Sequence, residues 1–256
     1  MKIKFLSTAF VFSTIILTAC QKENSQDQPS VNTSDRVKSY TETITSSSIG
    51  NSTTTLNISY DDKGRVTSAV SAASPGDKFV YSFPSNNKFT MDLYNSNVLS
   101  IHEDFYLNAA SFVDSTFQYN DTEDSSTEKY TYNANNQLIK LREYDYSKTS
   151  GSSLYNTTTY TYDASGNLIK TLDTDGEMHT YEYYPDLSYT LPLITGPLNT
   201  SATKKMNLTK KLTVSHSGVV EGSAQYTYTF DDKNRISTEK AEISDGSITT
   251  KTYTYF

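Results

Sequence analysis

Cysteine occurs once in this 256-residue chain, at Cys20, so no disulfide can form within one molecule. Tryptophan is absent and there are only three histidines, His102, His179 and His216. None of them has a cysteine or a second histidine at ligand spacing, so a zinc site would need tertiary convergence alone. No Gly-x-Ser-x-Gly elbow, Walker loop or zinc-binding helix motif is present, which removes the usual signatures of hydrolase, nucleotide and metalloprotease chemistry. After the first twenty residues no window keeps an apolar stripe of helical period and length. The sequence therefore names no catalytic residue, no metal ligand set and no cofactor.

Positive charge is also short. Lys and Arg number 22 against 29 Asp and Glu, giving a formal charge of −7. The charges are scattered, with no basic stripe, so nucleic acid is not an expected partner. What is abundant is tyrosine, with 21 Tyr and 11 Phe set among many Thr and Ser. That mixture favours strand over helix.

One phrase recurs. Tyr160-Thr161-Tyr162-Asp163-Ala164-Ser165-Gly166-Asn167-Leu168-Ile169-Lys170 is echoed by Tyr130-Thr131-Tyr132-Asn133-Ala134-Asn135-Asn136-Gln137-Leu138-Ile139-Lys140. Degraded copies run from Ile58 through Tyr60, Asp61, Gly64 and Val66, and from Tyr228 through Phe230, Asp231, Asn234 and Ile236. Asp or Asn suits the first position of a type I turn, where its side chain accepts backbone N–H groups. The fourth position needs positive φ to close the hairpin, and it holds Gly64, Asn136, Gly166 or Asn234 and nothing else. This register sets Tyr60 opposite Val66, Tyr132 opposite Leu138, Tyr162 opposite Leu168, and Phe230 opposite Ile236. It also pairs Thr161 with Ile169 and Ser59 with Thr67. One face is then aromatic and the other hydroxylated.

The spacing extends the pattern. From Tyr60, similar turns follow at Phe83, Leu107, Tyr132, Tyr162, Tyr184 and Phe230, a period near 23 residues that predicts about 14–18 strands. Asn87 stands in the Phe83 turn, and Gly76, Gly151, Gly176, Gly222 and Gly246 mark return turns between units. The fold class is all-β, an antiparallel meander of consecutive hairpins in a large rolled or barrel-like sheet. Pairing Tyr40–Ile44 with the final strand, 249–256, would remove both edges. Residues 39–256 form this domain, with an irregular segment at 185–212. There Pro185, Pro192, Gly196 and Pro197 oppose a regular strand, and Leu191, Leu193, Ile194, Leu198 and Leu208 would pack as a cap.

Residues 1–19 stand apart from the fold. Lys2 and Lys4 precede an apolar run over Phe5–Thr18 that is too short to span a membrane. It ends in Leu17-Thr18-Ala19-Cys20, which resembles the lipobox of bacterial lipoproteins. The resemblance implies cleavage before Cys20, lipidation of that residue, and the membrane as partner through this anchor. Gln21-Lys22-Glu23-Asn24 resembles the export signals of Bacteroidetes-type surface lipoproteins, leaving a periplasmic or outward orientation on the outer membrane open. Residues 20–38 read as a flexible tether, reaching roughly 20–25 Å.

The Tyr-Thr-Tyr-Asp-x-x-Gly-Asn-Leu phrase resembles the YD repeat of RHS-type proteins, in which tandem hairpins build a spiralling sheet. The lipobox, the tether, the degenerate repeats and Pro197-Leu198-Asn199 together resemble Bacteroidetes lipoproteins of unknown function with a porin-like rolled sheet. That resemblance implies a fold and a location but no activity. Asp114-Ser115-Thr116 matches the short O-glycosylation signal of that group.

Three candidate chemistries remain. Asp173-Thr174-Asp175-Gly176-Glu177 resembles half a calcium loop, though a hairpin turn explains it without an ion. The doublets Asp61-Asp62, Asp231-Asp232 and Glu103-Asp104 would suit a polymer hydrolase, but two of them fall in solvated turns. The aromatic face, with Tyr60, Tyr132, Tyr162 and Phe230, is the candidate ligand platform, or else the inner face of the rolled sheet. Tyr253-Thr254-Tyr255-Phe256 is similar to the C-terminal end of outer-membrane barrels, which require an outward apolar band. The expected function is a lipid-anchored envelope protein with a non-catalytic binding role toward a glycan or an envelope protein. The alternative is an extracellular hydrolase using carboxylates in a cleft.

Overall fold

The computed structural model describes residues 36–48, 50–119, 125–147, 151–189 and 206–256. They form sixteen strands: β1 (Val37–Thr45), β2 (Ser52–Tyr60), β3 (Val66–Ser71), β4 (Lys78–Ser85), β5 (Lys88–Asn95), β6 (Val98–Leu107), β7 (Val113–Tyr119), β8 (Ser125–Tyr132), β9 (Leu138–Ser147), β10 (Gly151–Tyr162), β11 (Leu168–Leu172), β12 (Glu177–Tyr189), β13 (Met206–His216), β14 (Val219–Phe230), β15 (Ile236–Ile243) and β16 (Ile248–Tyr255). Each pairs antiparallel with its sequence neighbours, and β1 pairs with β16, so the meander closes into a barrel. Tyr40 lies opposite Tyr253 at that seam. Among the described strands closure leaves no edge open for aggregation.

The turn chemistry acts as its residues dictate. φ is +83° at Gly64, +58° at Asn136, +91° at Gly166 and +60° at Asn234. In each turn the fourth residue donates its N–H to the carbonyl of the first, as Gly166 does to Asp163 at 3.0 Å. The same bonding recurs at Asn108–Ser111, Asp173–Gly176 and Ile243–Gly246. The four aromatic–aliphatic pairs are found in register: Tyr60–Val66, Tyr132–Leu138, Tyr162–Leu168 and Phe230–Ile236.

The next pairs differ from expectation. Thr161 faces Lys170, not Ile169, and Ser59 faces Ser68, not Thr67. One residue after each aliphatic partner is left unpaired, a bulge that recurs at Thr67, Asp114, Ile139, Ile169 and Ser237. Such an extra residue sharpens local twist, which a closing sheet needs at its rim. Gly222 is not a turn residue either. It sits in β14 opposite Val214, and the reversal is made by Ser217 and Gly218, both at positive φ. Asn87 does lie between β4 and β5, but without positive φ.

The segment 185–212 is narrower as an irregular element than its prolines suggest. β12 continues through Pro185 to Tyr189, and β13 begins at Met206. Pro185 falls where the β12–β13 register breaks between Tyr183 and Ser188, so its missing N–H interrupts no ladder bond. Leu208 is buried in the core. The cap residues Leu191, Leu193, Ile194 and Leu198 lie outside the described residues.

Alternation divides the sheet into two surfaces. One carries Val37, Tyr40, Leu56, Ile58, Ile236 and Tyr253 in a buried cluster that also takes in Leu208 of β13. Joining β13 to β1 in this way requires that face to be the interior. Phe89 and Phe105, stacked at 4.4 Å between ring centroids, continue it with Val113. The outer surface bears hydroxyl ladders such as Thr41–Thr55 and Thr43–Thr53. Charged groups stand there mid-strand, Lys129 opposite Arg142 and Lys211 opposite Glu182.

Candidate functional site

The turn residues named from sequence serve the turns. The two carboxylate oxygens of Asp163 accept from the backbone N–H of Asn167 at 2.8 Å and from its side-chain amide at 2.9 Å. Asn133 accepts backbone bonds from Asn135 and Gln137. Asp61 and Asp231 each accept from a backbone N–H and from an arginine, Arg65 and Arg235 respectively. Burial works upward on Asp61 and Asp163, but these donors outweigh it and hold both carboxyls below the usual range. The Arg235 hydrogen bond does the same for Asp231. Asp173 likewise accepts the N–H groups of Asp175 and Glu177, so the calcium-like phrase is a filled hairpin turn.

Tyr60, Tyr132, Tyr162 and Phe230 lie together at one rim of the barrel, half-buried. Their hydroxyls are engaged. Tyr60 donates to the carbonyl of Val37 at 2.9 Å, Tyr132 to Val113 at 2.7 Å and Tyr162 to Leu138 at 2.9 Å. Tyr183 and Tyr255 do the same to Leu168 and Ile236. Each bond leaves the tyrosine's own hairpin and fastens it to the preceding one, or, for Tyr60, to β1. Burial pushes the phenols of Tyr60 and Tyr162 up to about 12. The N-terminal end of β1 enters at this same rim, where Val37 pairs with Tyr255.

A different group of polar side chains gathers on the inner wall. Glu103 of β6, Thr116 of β7, Glu128 of β8 and Glu143 of β9 share the inward face, because Thr116 pairs with Glu128 and Glu128 with Glu143. Tyr130 and Tyr160 stand beside them on the same face. Tyr130 donates its hydroxyl to Glu128, and Asn156 donates its amide to Glu143 at 2.8 Å. These side chains keep a fringe of accessible surface although protein surrounds them closely.

The electrostatics follow from that setting. Burial, then the charge of Glu128, pushes the Glu103 carboxyl up to about 7, against a hydrogen bond from Thr116. Burial also raises Glu128; the Tyr130 hydroxyl opposes the shift and the Glu143 charge adds to it. The phenols of Tyr130 and Tyr160 are driven up by burial and by the charge of Glu128. Near pH 7 the Glu103 carboxyl, which would be ionised in water, therefore still holds part of its proton.

Sequence reasoning picked out Glu103 only as half of an acidic doublet. The strand sends Glu103 inward and Asp104 outward, where Asp104 meets Lys88 at 2.9 Å and flanks His102, whose other nitrogen bonds Asp92 at 2.5 Å. Glu128 and Glu143 went unnoticed. A signal existed: Glu128-x-Tyr130-x-Tyr132 places the acid two residues before the aromatic face. In Asp114-Ser115-Thr116, Ser115 faces out and Thr116 is buried inside at 2% exposure.

No protein-family model matches the chain, and no curated protein matches it. Among solved structures it is similar to a porin-like protein from Bacteroides uniformis, with a TM-score of 0.64 and 15% identity over 88% of this chain and 98% of that one. A porin-like protein from Bacteroides vulgatus gives a TM-score of 0.61 and 12% identity, over 87% of this chain and 99% of that one. At such identities what is shared is the fold, the porin-like rolled sheet that the sequence resemblance implies.

Proposed function

We propose that this chain is a lipid-anchored barrel of the bacterial outer membrane that stands in water and binds a ligand without transforming it. The observation that carries this reading is the division of polarity across the sheet. A barrel set in lipid needs an outward apolar band, and charges at its mid-height cost about 2–4 kcal/mol each. Here the outward positions hold Thr–Thr ladders and mid-strand Lys129, Arg142, Lys211 and Glu182. Attachment then falls to Cys20 and its tether, which would join the barrel at the tyrosine-clasped rim. The ligand is a glycan or another envelope component, met by tyrosine rings and carboxyl groups. The porin-like neighbours support an envelope setting.

The test is fractionation of cells expressing the chain and its Cys20→Ala variant. The unaltered protein should sediment with outer membrane and take up labelled fatty acid, while the variant should appear in the soluble fraction. A Cys20→Ala protein that still resists carbonate extraction would defeat the reading. Glycan-array binding of the released barrel tests the ligand class.

One observation favours the hydrolase alternative: an acid pushed up to about 7, Glu103, stands near two further carboxylates. That is the setting of a general acid. Turnover of an extracellular polysaccharide, lost in Glu103→Gln, would establish it.

A further inference from the structure

The inner wall over β6–β9 holds more acceptors than it has donors to satisfy. An ionised carboxylate offers about four lone-pair sites. Glu128 receives the Tyr130 hydroxyl and Glu143 the Asn156 amide. The Thr116 hydroxyl stands between Glu103 and Glu128 and has one proton to give. Among the described residues none of the three acids is in an ion pair, and no Lys or Arg occupies an inward register position on β6–β10.

A second observation comes from the neighbouring strands. Tyr81 of β4 pairs with Met91 of β5, which pairs with Glu103, so Tyr81 faces the same lumen. It is 4% exposed, yet its hydroxyl has no hydrogen-bond partner. The charge of Glu103 reaches it. A buried phenol left unbonded costs on the order of 1–3 kcal/mol, so the wall is incomplete as it stands.

We propose that this wall is a binding site for a ligand carrying a primary ammonium group, held between Glu103 and Glu128, which flank Thr116, with Glu143 on the next strand and Tyr81 on the same inward face. The inference rests on the binding function proposed above and names its ligand chemistry. An ammonium has three donors, a positive charge and no acceptor, which is what these under-bonded carboxylates lack. The Tyr130 and Tyr160 rings alongside add cation–π attraction. A bare metal ion fits less well, since among the described residues no acidic group of three is placed to hold one. Polyamines and amino sugars both present this chemistry.

Binding is linked to protons. The ammonium favours ionised carboxylates, so it must expel the proton that burial favours on Glu103 and work against the same upward push on Glu128. The other titratable groups on that face are Tyr81, Tyr130 and Tyr160, whose phenols burial keeps neutral, and Asp145. Asp145, two residues beyond Glu143 on β9, brings a further carboxyl group and no positive charge to compete with the ammonium. Affinity therefore rises with pH until the amine itself loses its proton.

The experiment is calorimetric titration of the detergent-solubilised full-length protein, in amine-free buffer, with spermidine, glucosamine oligomers and their N-acetylated counterparts. Binding of spermidine or of glucosamine oligomers should tighten about tenfold or more between about pH 5.5 and about pH 7.5. Binding by spermidine alone identifies a polyamine site, and binding by the oligomers alone an amino-sugar site. The N-acetylated forms should bind at least about tenfold more weakly. Glu103→Gln and Glu128→Gln should each weaken binding by a similar factor and flatten the pH dependence, with circular dichroism and melting confirming the fold. Equal binding of N-acetylated and free-amine oligomers would overturn the ammonium site while leaving a glycan-binding barrel standing. Absence of any amine binding by a folded protein would also overturn it, and glycan-array binding would still report separately on the broader function.

Discussion

The hydroxyl of Tyr162 donates to the backbone carbonyl of Leu138 at 2.9 Å, reaching out of the β10–β11 hairpin into β8–β9. Its ring meanwhile pairs with Leu168 inside its own hairpin. One side chain thus closes a turn and fastens successive repeats. Phe230 breaks the series for a visible reason: Tyr228 already donates to Thr209 on the strand that a hydroxyl at 230 would have to reach. Tyr162→Phe should therefore lower stability by about 0.5–1.5 kcal/mol, the net worth of one such bond. Phe230→Tyr should give no gain. Urea unfolding of the two variants checks both statements.

Equivalent turn positions should not tolerate change equally. Gly166 has φ +91° in a position that Asn136 and Asn234 fill elsewhere, so Gly166→Asn should cost little. Gly64 has φ +83°, and a Cβ there would meet the Arg36 guanidinium at 2.6 Å. That guanidinium lies over the Tyr60 ring, 5.5 Å from its centre. Gly64→Asn must displace Arg36 and should destabilise more than Gly166→Asn, by roughly 1 kcal/mol or more. Thermal melts of the pair decide it.

Much of this architecture is readable in the sequence because its rules are local. A left-handed position four residues into a turn accepts Gly or Asn, and the aromatic one position outside that residue's partner follows by counting. The bulges at Ile139 and Ile169 obey no local rule, since neither residue type differs from what an ordinary strand would hold. The carboxylate wall was hidden for another reason. Glu103, Glu128 and Glu143 meet only through the register of four strands, and the doublet Glu103-Asp104 looks like one feature although its members face opposite sides. Pro185 misled because a bulge can absorb it.

Stability should fall at both ends of the pH range, for opposite reasons. Asp61 and Asp163 have carboxyls held below their ordinary values, so their contribution is complete above the unfolded value and is lost as pH drops through the folded one. Glu103 is raised to about 7 from 4.5, so the folded state prefers its protonated form. Its contribution is complete below the unfolded value and disappears as pH rises toward 7, a change of up to about 3 kcal/mol. The ligand-free protein should be most stable near pH 4–5, about where both sets are satisfied. Glu103→Gln should flatten the neutral limb and leave the acid limb unchanged, as denaturant titrations across pH would reveal.

The seam between β1 and β16 brings residues together from the two ends of the domain. Tyr40 and Tyr253 lie 5.7 Å apart across it, both buried. Ser46 and Ser247 share a buried hydroxyl contact at 2.8 Å. Every other junction joins strands that are consecutive in sequence, and such local hairpins close with little loss of chain entropy. The seam alone requires the whole meander to be in place, so its contacts should form after the folding barrier. Tyr253→Ala should remove about 3–5 kcal/mol of stability. Nearly all of that loss should appear as faster unfolding, with the folding limb of the chevron scarcely moved. A variant that slows folding as much as it speeds unfolding would mean that the ends meet early and that the barrel is nucleated at its seam.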